Sequence, residues 1–492
     1  MNPFSQIPSI LFPVLHVLGP VLIWFAATML IPLGLSWLKA DGVGAAFAQS
    51  AGVTALAGVI LWAAFYKYKR ELTAKHGFLF VTLSWTSIAA VSALPIMLIE
   101  PQYNFTHAFF EAMSCLTTTG ATMMTGLDKL PISLNGWRSF LSWMGGMGLI
   151  VLSVAILPLL GVGGAQVMKA ETSGPLKESR LTPRIAETAR SLYAIYFGIS
   201  VACAIAYHFA GMDWDDAVMH MMTTVSLSGI SSHDASYAYF NNPWVDLTAV
   251  IFMVICGLNF SLHFTVWHKR KPLLYFFDAE ARGWVGTLVV LTALCTLVIL
   301  ANGSYDAVLP ALRAAAFSVA SAASTTGYAT VDYSLWPMPL PFIIMISAAF
   351  ASCAGSTGGG LKMIRSIVLV KQFLRECRRL MTPIRVVPLM VGKTVITDPI
   401  LQGIYAYFWI WSISVVAGSL ILMTMGLPPL ESFSGTIACI TNLGPGLGTI
   451  GPVGNYAALT DAQLGFLSFL MLIGRLEIFT VLILFTRGFW RD

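Results

Sequence analysis

A succession of ten apolar segments, each about as long as a membrane-spanning helix, constrains this chain more than any other feature. Hydrocarbon offers no water to the backbone, so a single spanning segment satisfies its own amide and carbonyl groups only as a helix. About 20 helical residues cross the roughly 30 Å hydrocarbon layer. The segments cover approximately residues 12–38, 44–66, 77–99, 139–160, 191–211, 245–267, 284–301, 337–361, 401–427 and 463–486. The sequence therefore predicts an all-α integral membrane protein with ten transmembrane helices.

Composition excludes several other classes of protein. With 57% apolar and 10% charged residues among 492, and a mean hydropathy of +0.77, the chain is far more apolar than a soluble domain. The net charge of +5 comes without a basic tail or a nucleic-acid motif, so we expect no nucleic acid partner. The seven cysteines are scattered without a C-x-x-C pair, which is typical of small buried apolar side chains. No catalytic constellation indicates an enzyme.

Four shorter apolar runs lie between successive pairs of the last eight segments, at about 105–117, 214–226, 305–324 and 431–441. Each run leads to a glycine, and these glycines, Gly120, Gly229, Gly327 and Gly444, follow one another at intervals of 109, 98 and 117 residues. Such a period indicates an internal repeat. The repeating unit is a helix, a re-entrant pore helix, a filter strand and a second helix. We expect four such units with pseudo-four-fold symmetry behind a two-helix N-terminal hairpin.

The strands around these glycines have the composition of a cation filter. The third, STTGYAT at 324–330, is the clearest, and the others read TTTGAT at 117–122, SLSGIS at 226–231 and TNLGPG at 441–446. Backbone carbonyls that point inward can replace the hydration shell of a cation, and glycine permits the backbone dihedrals that this requires. The candidate filter residues are Thr117, Thr118, Thr119, Gly120, Leu227, Ser228, Gly229, Thr325, Thr326, Gly327, Asn442, Leu443 and Gly444. The side chains of Thr118 and Asn442 either offer oxygens to the ion or hold the strand by hydrogen bonds.

The distribution of charge predicts the topology. If both termini are cytoplasmic, 23 of the 28 basic residues fall in cytoplasmic segments, as the positive-inside rule requires. Thirteen acidic residues fall outside, where they either attract cations to the pore mouth or are ordinary solvated loop residues. His233 and Asp234 follow the second strand, where a structural hydrogen bond is favoured over a ligand role. The expected units are an N-terminal hairpin at 1–70 and pore repeats at 71–168, 169–272, 273–393 and 394–492.

Taken together, the filter motifs, CAGSTGGGLKMIR at 353–365 and GRLEIFT at 474–480 resemble the TrkH branch of the Trk/Ktr/HKT superfamily of cation transport proteins. The resemblance covers nearly the whole chain and implies potassium translocation in the bacterial inner membrane. It also implies a homodimer with one pore per chain and a cytosolic TrkA-type partner that binds nucleotides. Leu227 and Ser228 depart from the usual second strand, whereas Gly120 stands where a serine accompanies sodium preference in plant relatives. Potassium is therefore favoured over sodium.

Two features are candidates for a gate. The segment Gly355, Ser356, Thr357, Gly358, Gly359 and Gly360 concentrates glycines that disfavour a helix by about 1 kcal/mol each relative to alanine. It forms either a flexible loop that obstructs the pore, as the resemblance supports, or a close helix crossing. Arg475 lies too deep to reach the cytoplasmic interface. It either faces the cavity below the filter and contacts the loop, or forms an ion pair with another helix, although its near neighbour Glu477 points elsewhere on the helix.

Other functions remain open at this stage. The basic stretch from Leu361 to Lys393 binds either anionic lipid or the cytosolic partner. A proton- or sodium-coupled carrier would use acidic residues at membrane depth, and the sequence offers only Glu111 and Glu477 there. A non-conducting membrane scaffold with degenerate pore loops is the alternative from another class.

Overall fold

The chain folds almost entirely into helices. The computed structural model describes residues 7–70, 72–151, 181–382, 387–392 and 394–490. The end of the predicted span at 139–160, the basic residues within 169–180, and Arg385, Lys393 and Arg491 lie outside these ranges. The helices are α1 (Ile7–Thr28), α2 (Leu30–Lys39), α3 (Gly44–Ala64), α4 (Ala74–Ile99), α5 (Phe105–Leu116), α6 (Ile132–Val151), α7 (Leu181–Ala210), α8 (Trp214–Val225), α9 (Pro243–Cys256), α10 (Phe260–Lys269), α11 (Leu274–Phe277), α12 (Ala279–Ala301), α13 (Val308–Ala323), α14 (Leu340–Phe350), α15 (Met363–Met381), α16 (Asp398–Thr424), α17 (Pro429–Ile440), α18 (Asp461–Arg475) and α19 (Ile478–Leu482). An antiparallel pair, β1 (Met390–Val391) and β2 (Thr394–Val395), precedes α16.

Six helical stretches in the described part of the chain are long and apolar enough to cross a membrane, or eight if two bent helix pairs each count as one span. Large apolar side chains cover their outer surfaces, with Trp24, Trp37 and Phe209 at 78%, 78% and 85% exposure. Lipid is the solvent that accepts such a surface. The molecule is therefore a helical membrane protein, as predicted, whereas the count of ten spans stays a prediction.

Three predicted spans are interrupted. Over 245–267 the chain bends by 89° between α9 and α10, because Asn259 caps the second helix and its Oδ1 accepts from the amide of Ser261 at 2.8 Å. Over 463–486 it bends by 115° after α18, where Glu477 has a φ of +56°. Over 337–361 only α14 is helical, and the chain then enters a loop at 351–362. Predicting one continuous helix over 245–267 and over 463–486 was wrong, because apolar composition alone does not register a break. The break over 337–361 is the one that the glycines at 355–360 predict.

The four short helices lie where the sequence predicts pore helices, namely α5, α8, α13 and α17. Two of them begin at side-chain caps: Asn104 accepts from the amide of His107 at 3.0 Å, and Asp213 accepts from the amide of Asp216 at 2.8 Å. At 12 to 16 residues they extend for about 18–24 Å, less than the hydrocarbon thickness. Each helix ends where its glycine-centred segment begins.

The N-terminal hairpin packs through small residues. A Cβ atom on Gly19 would lie 2.6 Å from the amide nitrogen of Trp62, and one on Gly58 would lie 2.7 Å from the carbonyl oxygen of Gly19. Only glycine allows α1 and α3 to approach this closely. Phe25 and Phe47 then pack against Trp137 of α6, which joins the hairpin to the first unit.

Candidate cation filter and gate

The four glycine-centred segments share one backbone conformation. In each, the glycine has a positive φ, and so does the residue two positions before it, while the residue between them does not. The four pairs are Thr118 and Gly120 (54° and 83°), Leu227 and Gly229 (55° and 71°), Thr325 and Gly327 (62° and 88°), and Asn442 and Gly444 (55° and 94°). Three different residue types adopt a left-handed conformation that L-residues disfavour, so the surrounding structure imposes it.

A repeated set of hydrogen bonds holds this conformation in place. In the first segment the amides of Thr118 and Thr119 donate to the carbonyls of Cys115 and Ser114, at 3.0 and 2.8 Å. The same two bonds recur in the second segment (Leu227 to Thr224, Ser228 to Thr223), the third (Thr325 to Ala322, Thr326 to Ser321) and the fourth (Asn442 to Cys439, Leu443 to Ala438). The amides of each strand thus point back towards the end of its own pore helix.

The carbonyls of these strands must point the other way. In a trans peptide the N–H and C=O are opposed, so an amide directed at the pore helix places the preceding carbonyl oxygen on the opposite side. The three residues before each glycine, 117–119, 226–228, 324–326 and 441–443, are at most 1% exposed. None of their twelve carbonyls accepts a hydrogen bond from another described residue. Buried carbonyls normally accept a hydrogen bond. Because these carbonyls accept none from the described residues, their oxygens are free to coordinate a cation.

The four strands close on one another in a ring. A Cβ on Gly120 would lie 2.1 Å from the carbonyl oxygen of Ser228 in the second strand, and the other glycines repeat this contact with the next strand. The distance from the added Cβ to the carbonyl oxygen is 2.0 Å for Gly229 and Thr326, 2.2 Å for Gly327 and Leu443, and 2.5 Å for Gly444 and Thr119. All four glycines also line one cavity at the exit of the ring. The predicted filter residues therefore meet at a common centre.

The structure shows what the side chains of Thr118 and Asn442 contact. Asn442 donates through Nδ2 to Thr119 Oγ1 at 2.9 Å and to the carbonyl of Met471 at 3.1 Å, which ties the fourth strand to the first and to α18. Its Oδ1 and the hydroxyl of Thr118 are buried and have no hydrogen-bond partner within the described ranges. Asn442 thus holds the strand, while both side chains retain an unpaired oxygen.

The glycine-rich segment lies directly against the filter strands. The amide of Gly359 donates to Thr325 Oγ1 at 2.8 Å, and the hydroxyl of Thr357 donates to the carbonyl of Val225 at 3.0 Å. A Cβ on Gly359 would lie only 2.0 Å from the carbonyl oxygen of Thr441. The loop therefore reaches the second, third and fourth units at once, and its glycines permit the close approach.

Arg475 also contacts this loop. Its side chain is almost fully buried and donates through Nη1 to the carbonyl of Thr357 and through Nη2 to the carbonyl of Gly145, both at 2.9 Å. No acidic side chain among the described residues forms an ion pair with it. Glu477, which lies beyond the end of α18, instead accepts from Arg365 at 2.6 Å. Arg475 thus joins the loop to α6 through neutral carbonyls.

Two basic residues of the stretch from Leu361 to Lys393 are buried and so are not available to lipid or to a partner. Lys362 and Arg365 are 8% and 3% exposed, since Lys362 donates to the carbonyl of Gly358 and Arg365 to Glu477. Their assignment to a lipid- or partner-binding stretch was wrong, because Lys362 and the first turn of α15 are buried in the protein. Lys371 and Arg379, further along α15, keep exposed contacts.

One acidic residue that the sequence places on the outer side makes local contacts within the protein. Glu111 is fully buried and accepts from Arg138 Nε and Nη2 at 2.9 and 2.7 Å. Its carboxylate also accepts from the amide of Met123 at 3.1 Å, and Arg138 donates to the carbonyl of Ser231 at 3.1 Å. This pair braces the chain just beyond the first two filter strands. Sequence analysis missed it, although a basic residue within a predicted outer segment was the available signal.

A second cluster lies on the outer side of the second strand. His233 contacts Asp128 Oδ1 through Nδ1 at 2.5 Å and Asp216 through Nε2 at 3.1 Å, which is the structural role that the sequence favoured. Burial alone would lower the pKa of the His233 imidazole, but the hydrogen bonds to Asp216 and Asp128 outweigh burial and raise it. The imidazole therefore links the loops that follow the first and second strands.

Comparison with known proteins agrees with this geometry. The TrkH family model, described as a cation transport protein, matches residues 43–490. The Trk system potassium uptake protein TrkH of Salmonella typhimurium (strain LT2) is 42% identical over 478 residues, covering 97% of this chain and 99% of the relative. The Trk system potassium uptake protein TrkG of Escherichia coli (strain K12) is 36% identical, covering 86% of this chain and 87% of the relative.

A solved structure extends the similarity to three dimensions. The crystal structure of the potassium transporter TrkH from Vibrio parahaemolyticus superposes with a TM-score of 0.90 at 38% identity, covering 98% of this chain and 99% of that one. The family is one of transport proteins rather than enzymes. The chain therefore belongs to the TrkH family of cation transport proteins.

Proposed function

We propose that this protein conducts potassium across the bacterial inner membrane through the ring of four filter strands. The observation that carries the proposal is the set of twelve buried carbonyls without donors in the described chain. A dehydrated monovalent cation needs such oxygens, which replace its hydration shell without a fixed counter-charge. Potassium is the ion in the names of the relatives. The resemblance to the plant proteins implies that a glycine at position 120, rather than a serine, accompanies a preference for potassium over sodium.

The ion would be bound by Thr117 to Gly120, Leu227 to Gly229, Thr325 to Gly327 and Asn442 to Gly444. Below them, the loop Gly355, Ser356, Thr357, Gly358, Gly359 and Gly360 would block conduction until it is displaced. Arg475 would hold the loop in its closed position through the Thr357 carbonyl, and its positive charge would raise the barrier to cation exit. Opening would require these hydrogen bonds to break.

The remaining organisation follows from the same proposal. Eight spans in four pore repeats, with boundaries at 71–168, 169–272, 273–393 and 394–492, would give the ring its pseudo-four-fold symmetry, and the two-helix hairpin at 1–70 would bring the total to ten spans. The excess of basic residues would place both termini in the cytoplasm. The chain would form a homodimer in the lipid bilayer and dock a cytosolic TrkA-type nucleotide-binding subunit, which would displace the loop.

Proton coupling has little support in the described residues. The two acids that the sequence offered for it are both in ion pairs, Glu111 with Arg138 and Glu477 with Arg365. Each carboxylate is therefore already engaged by a guanidinium group. A conducting pore accounts for the carbonyl ring, which neither a coupled carrier nor a non-conducting scaffold requires.

Rubidium and sodium flux into liposomes that contain the purified chain tests the proposal. Gly120→Ser and Gly327→Ser would force side chains against the neighbouring strand, so we expect the ratio of rubidium to sodium flux to fall. Gly42→Ser is the matched control, because Gly42 has a similar φ of +80° and a Cβ added there would meet no atom within 4 Å. Flux that is absent from both wild type and the loop-releasing variant Arg475→Gln, or flux that is indifferent to both filter substitutions, would refute conduction through this ring.

A further inference from the structure

A cavity of about 570 Å³ lies on the flank of the third unit, outside the ion pathway. Apolar side chains of α9 and α13 form most of its wall, among them Leu247, Val250 and Phe317. Thr330 and Val331, which follow the third filter strand, close one side. Its volume falls within the roughly 300–1,000 Å³ of ordinary small-molecule sites, and a mostly apolar wall with a few polar groups is typical of such sites.

One polar group in this wall lacks a partner. Asp246 is only 3% exposed, and its Oδ2 accepts from Arg313 Nε at 2.7 Å. Its Oδ1 is buried and accepts no hydrogen bond from any residue in the described ranges. An unpaired buried acceptor costs about 1–3 kcal/mol. A donor from outside the chain, entering through the cavity that Asp246 lines, would remove this cost.

The guanidinium beside it is also incompletely used. Arg313 lines the same cavity with its side chain 35% exposed, and its bond to Asp246 is the only hydrogen bond it forms within the described chain. Its two Nη groups are therefore available to an anion. The pair as a whole is neutral, with a free acceptor and free donors side by side. A group that carries one ammonium and one phosphate is complementary to it.

The position of the pair suits a lipid headgroup. Asp246 lies in the first turn of α9 and Arg313 in the second turn of α13, where both helices start from the predicted outer side. Leu309, which lines the cavity, and the nearby Trp244 are 76% and 68% exposed. Exposed tryptophan at a helix start is typical of the membrane–water interface. The charged pair thus lies at headgroup depth, with the apolar cavity beside it.

We propose that this cavity binds one phosphatidylethanolamine molecule. Its ammonium donates to Asp246 Oδ1, its phosphate accepts from Arg313, and an acyl chain occupies the apolar wall. A choline headgroup has no N–H to donate, and a glycerol headgroup offers Asp246 only neutral hydroxyl donors, whose hydrogen bonds to a carboxylate are weaker than those of an ammonium. The bound lipid also supports the third filter strand through a row of aromatic rings. Phe317 in the cavity wall has its ring centroid 5.3 Å from that of Tyr237, which lies 4.3 Å from the ring centroid of Tyr328 in the third strand.

Native mass spectrometry of the full-length chain in detergent tests this assignment independently of flux. After incubation with phosphatidylethanolamine, phosphatidylcholine and phosphatidylglycerol of identical acyl chains, we expect one phosphatidylethanolamine to be retained per chain, at least tenfold above the other two. Asp246→Asn and Arg313→Gln should each reduce its retention to the level of phosphatidylcholine. Asp215→Asn, at an exposed ion pair with Lys39, is the matched control and should retain the lipid like wild type.

A cavity-filling variant guards against misfolding of the charge variants. Ala316→Phe leaves the ion pair intact and fills the wall of the cavity, so it should lose the lipid while eluting as a single species in gel filtration. Equal retention of the three lipids by wild type would overturn the proposal. So would wild-type retention in well-folded Ala316→Phe or Asp246→Asn. Because lipid retention is measured without ion transport, loss of conduction leaves this outcome unaffected.

Discussion

The buried ion pair between Glu111 and Arg138 yields the sharpest quantitative prediction. Both side chains are at most 1% exposed, and together they anchor the chain beyond the first two filter strands through Met123 and Ser231. Removing one member of such a pair leaves an uncompensated buried charge, at a cost of about 3–5 kcal/mol. We expect Glu111→Gln to lower the free energy of unfolding by about this amount. The exposed pair between Lys39 and Asp215 should contribute no more than about 1 kcal/mol.

Equilibrium unfolding in mixed detergent, followed by tryptophan fluorescence, measures both effects under one condition. Asp215→Asn is the control for loss of a carboxylate charge. The double variant Glu111→Leu with Arg138→Met should recover most of the stability, because apolar replacement of a whole buried pair is often neutral. It should not recover the selectivity for rubidium over sodium, because the segments that follow the first and second filter strands lose their contacts with the pair. The anchoring role of the pair is refuted if Glu111→Gln unfolds like Asp215→Asn, or if the double variant keeps wild-type rubidium to sodium selectivity.

Three further predictions concern the gate and the outer loops. Arg475→Gln removes two charge-assisted hydrogen bonds of about 1.5–3 kcal/mol each. Rubidium flux without any partner should therefore rise more than tenfold. Unchanged flux would contradict the proposal that the Thr357 contact holds the loop closed. Gly359→Ala places a Cβ 2.0 Å from a carbonyl oxygen of the fourth strand. If the clash displaces the loop, limited proteolysis should cleave it faster than in wild type. An unchanged rate would show that the fourth strand moves and the loop does not. The pKa of His233 is raised, so its stabilising contacts are complete below the unfolded value of about 6.5 and are lost as pH rises through the folded value. The thermal midpoint should therefore fall as the pH rises above about 6.5 in wild type and fall less in His233→Gln, and equal slopes would exclude this histidine as the cause.

The pore helices and the filter were predictable because both are local patterns. The predicted run at 214–226 matches α8 almost residue for residue, and the glycine period identified all four strands before any contact was known. Even the weakest strand, TNLGPG, takes the same backbone conformation as the clearest one. Backbone geometry is set by the glycine and by bonds to the preceding helix, so it tolerates Leu227 or Asn442 at a position that Thr fills elsewhere.

The breaks and the buried charges were not predictable in the same way. The bend after Arg475 falls within a stretch that is apolar on average, and the left-handed Glu477 at the bend pairs with Arg365, 112 positions away. Glu111 and Arg138 likewise look like two loop charges until the fold brings them together. Hydropathy records the average environment of a segment, whereas these features depend on a partner elsewhere in the chain.

The contact of each filter glycine with a neighbouring strand has a consequence for how selectivity changes over time. In a pore assembled from four identical subunits, every substitution appears four times, and a harmful change strikes the whole perimeter at once. Here Gly120, Gly229, Gly327 and Gly444 belong to one polypeptide, so a single mutation alters one quarter of the circumference. Ion preference can therefore drift in small steps, with three intact quadrants preserving conduction while the fourth is modified.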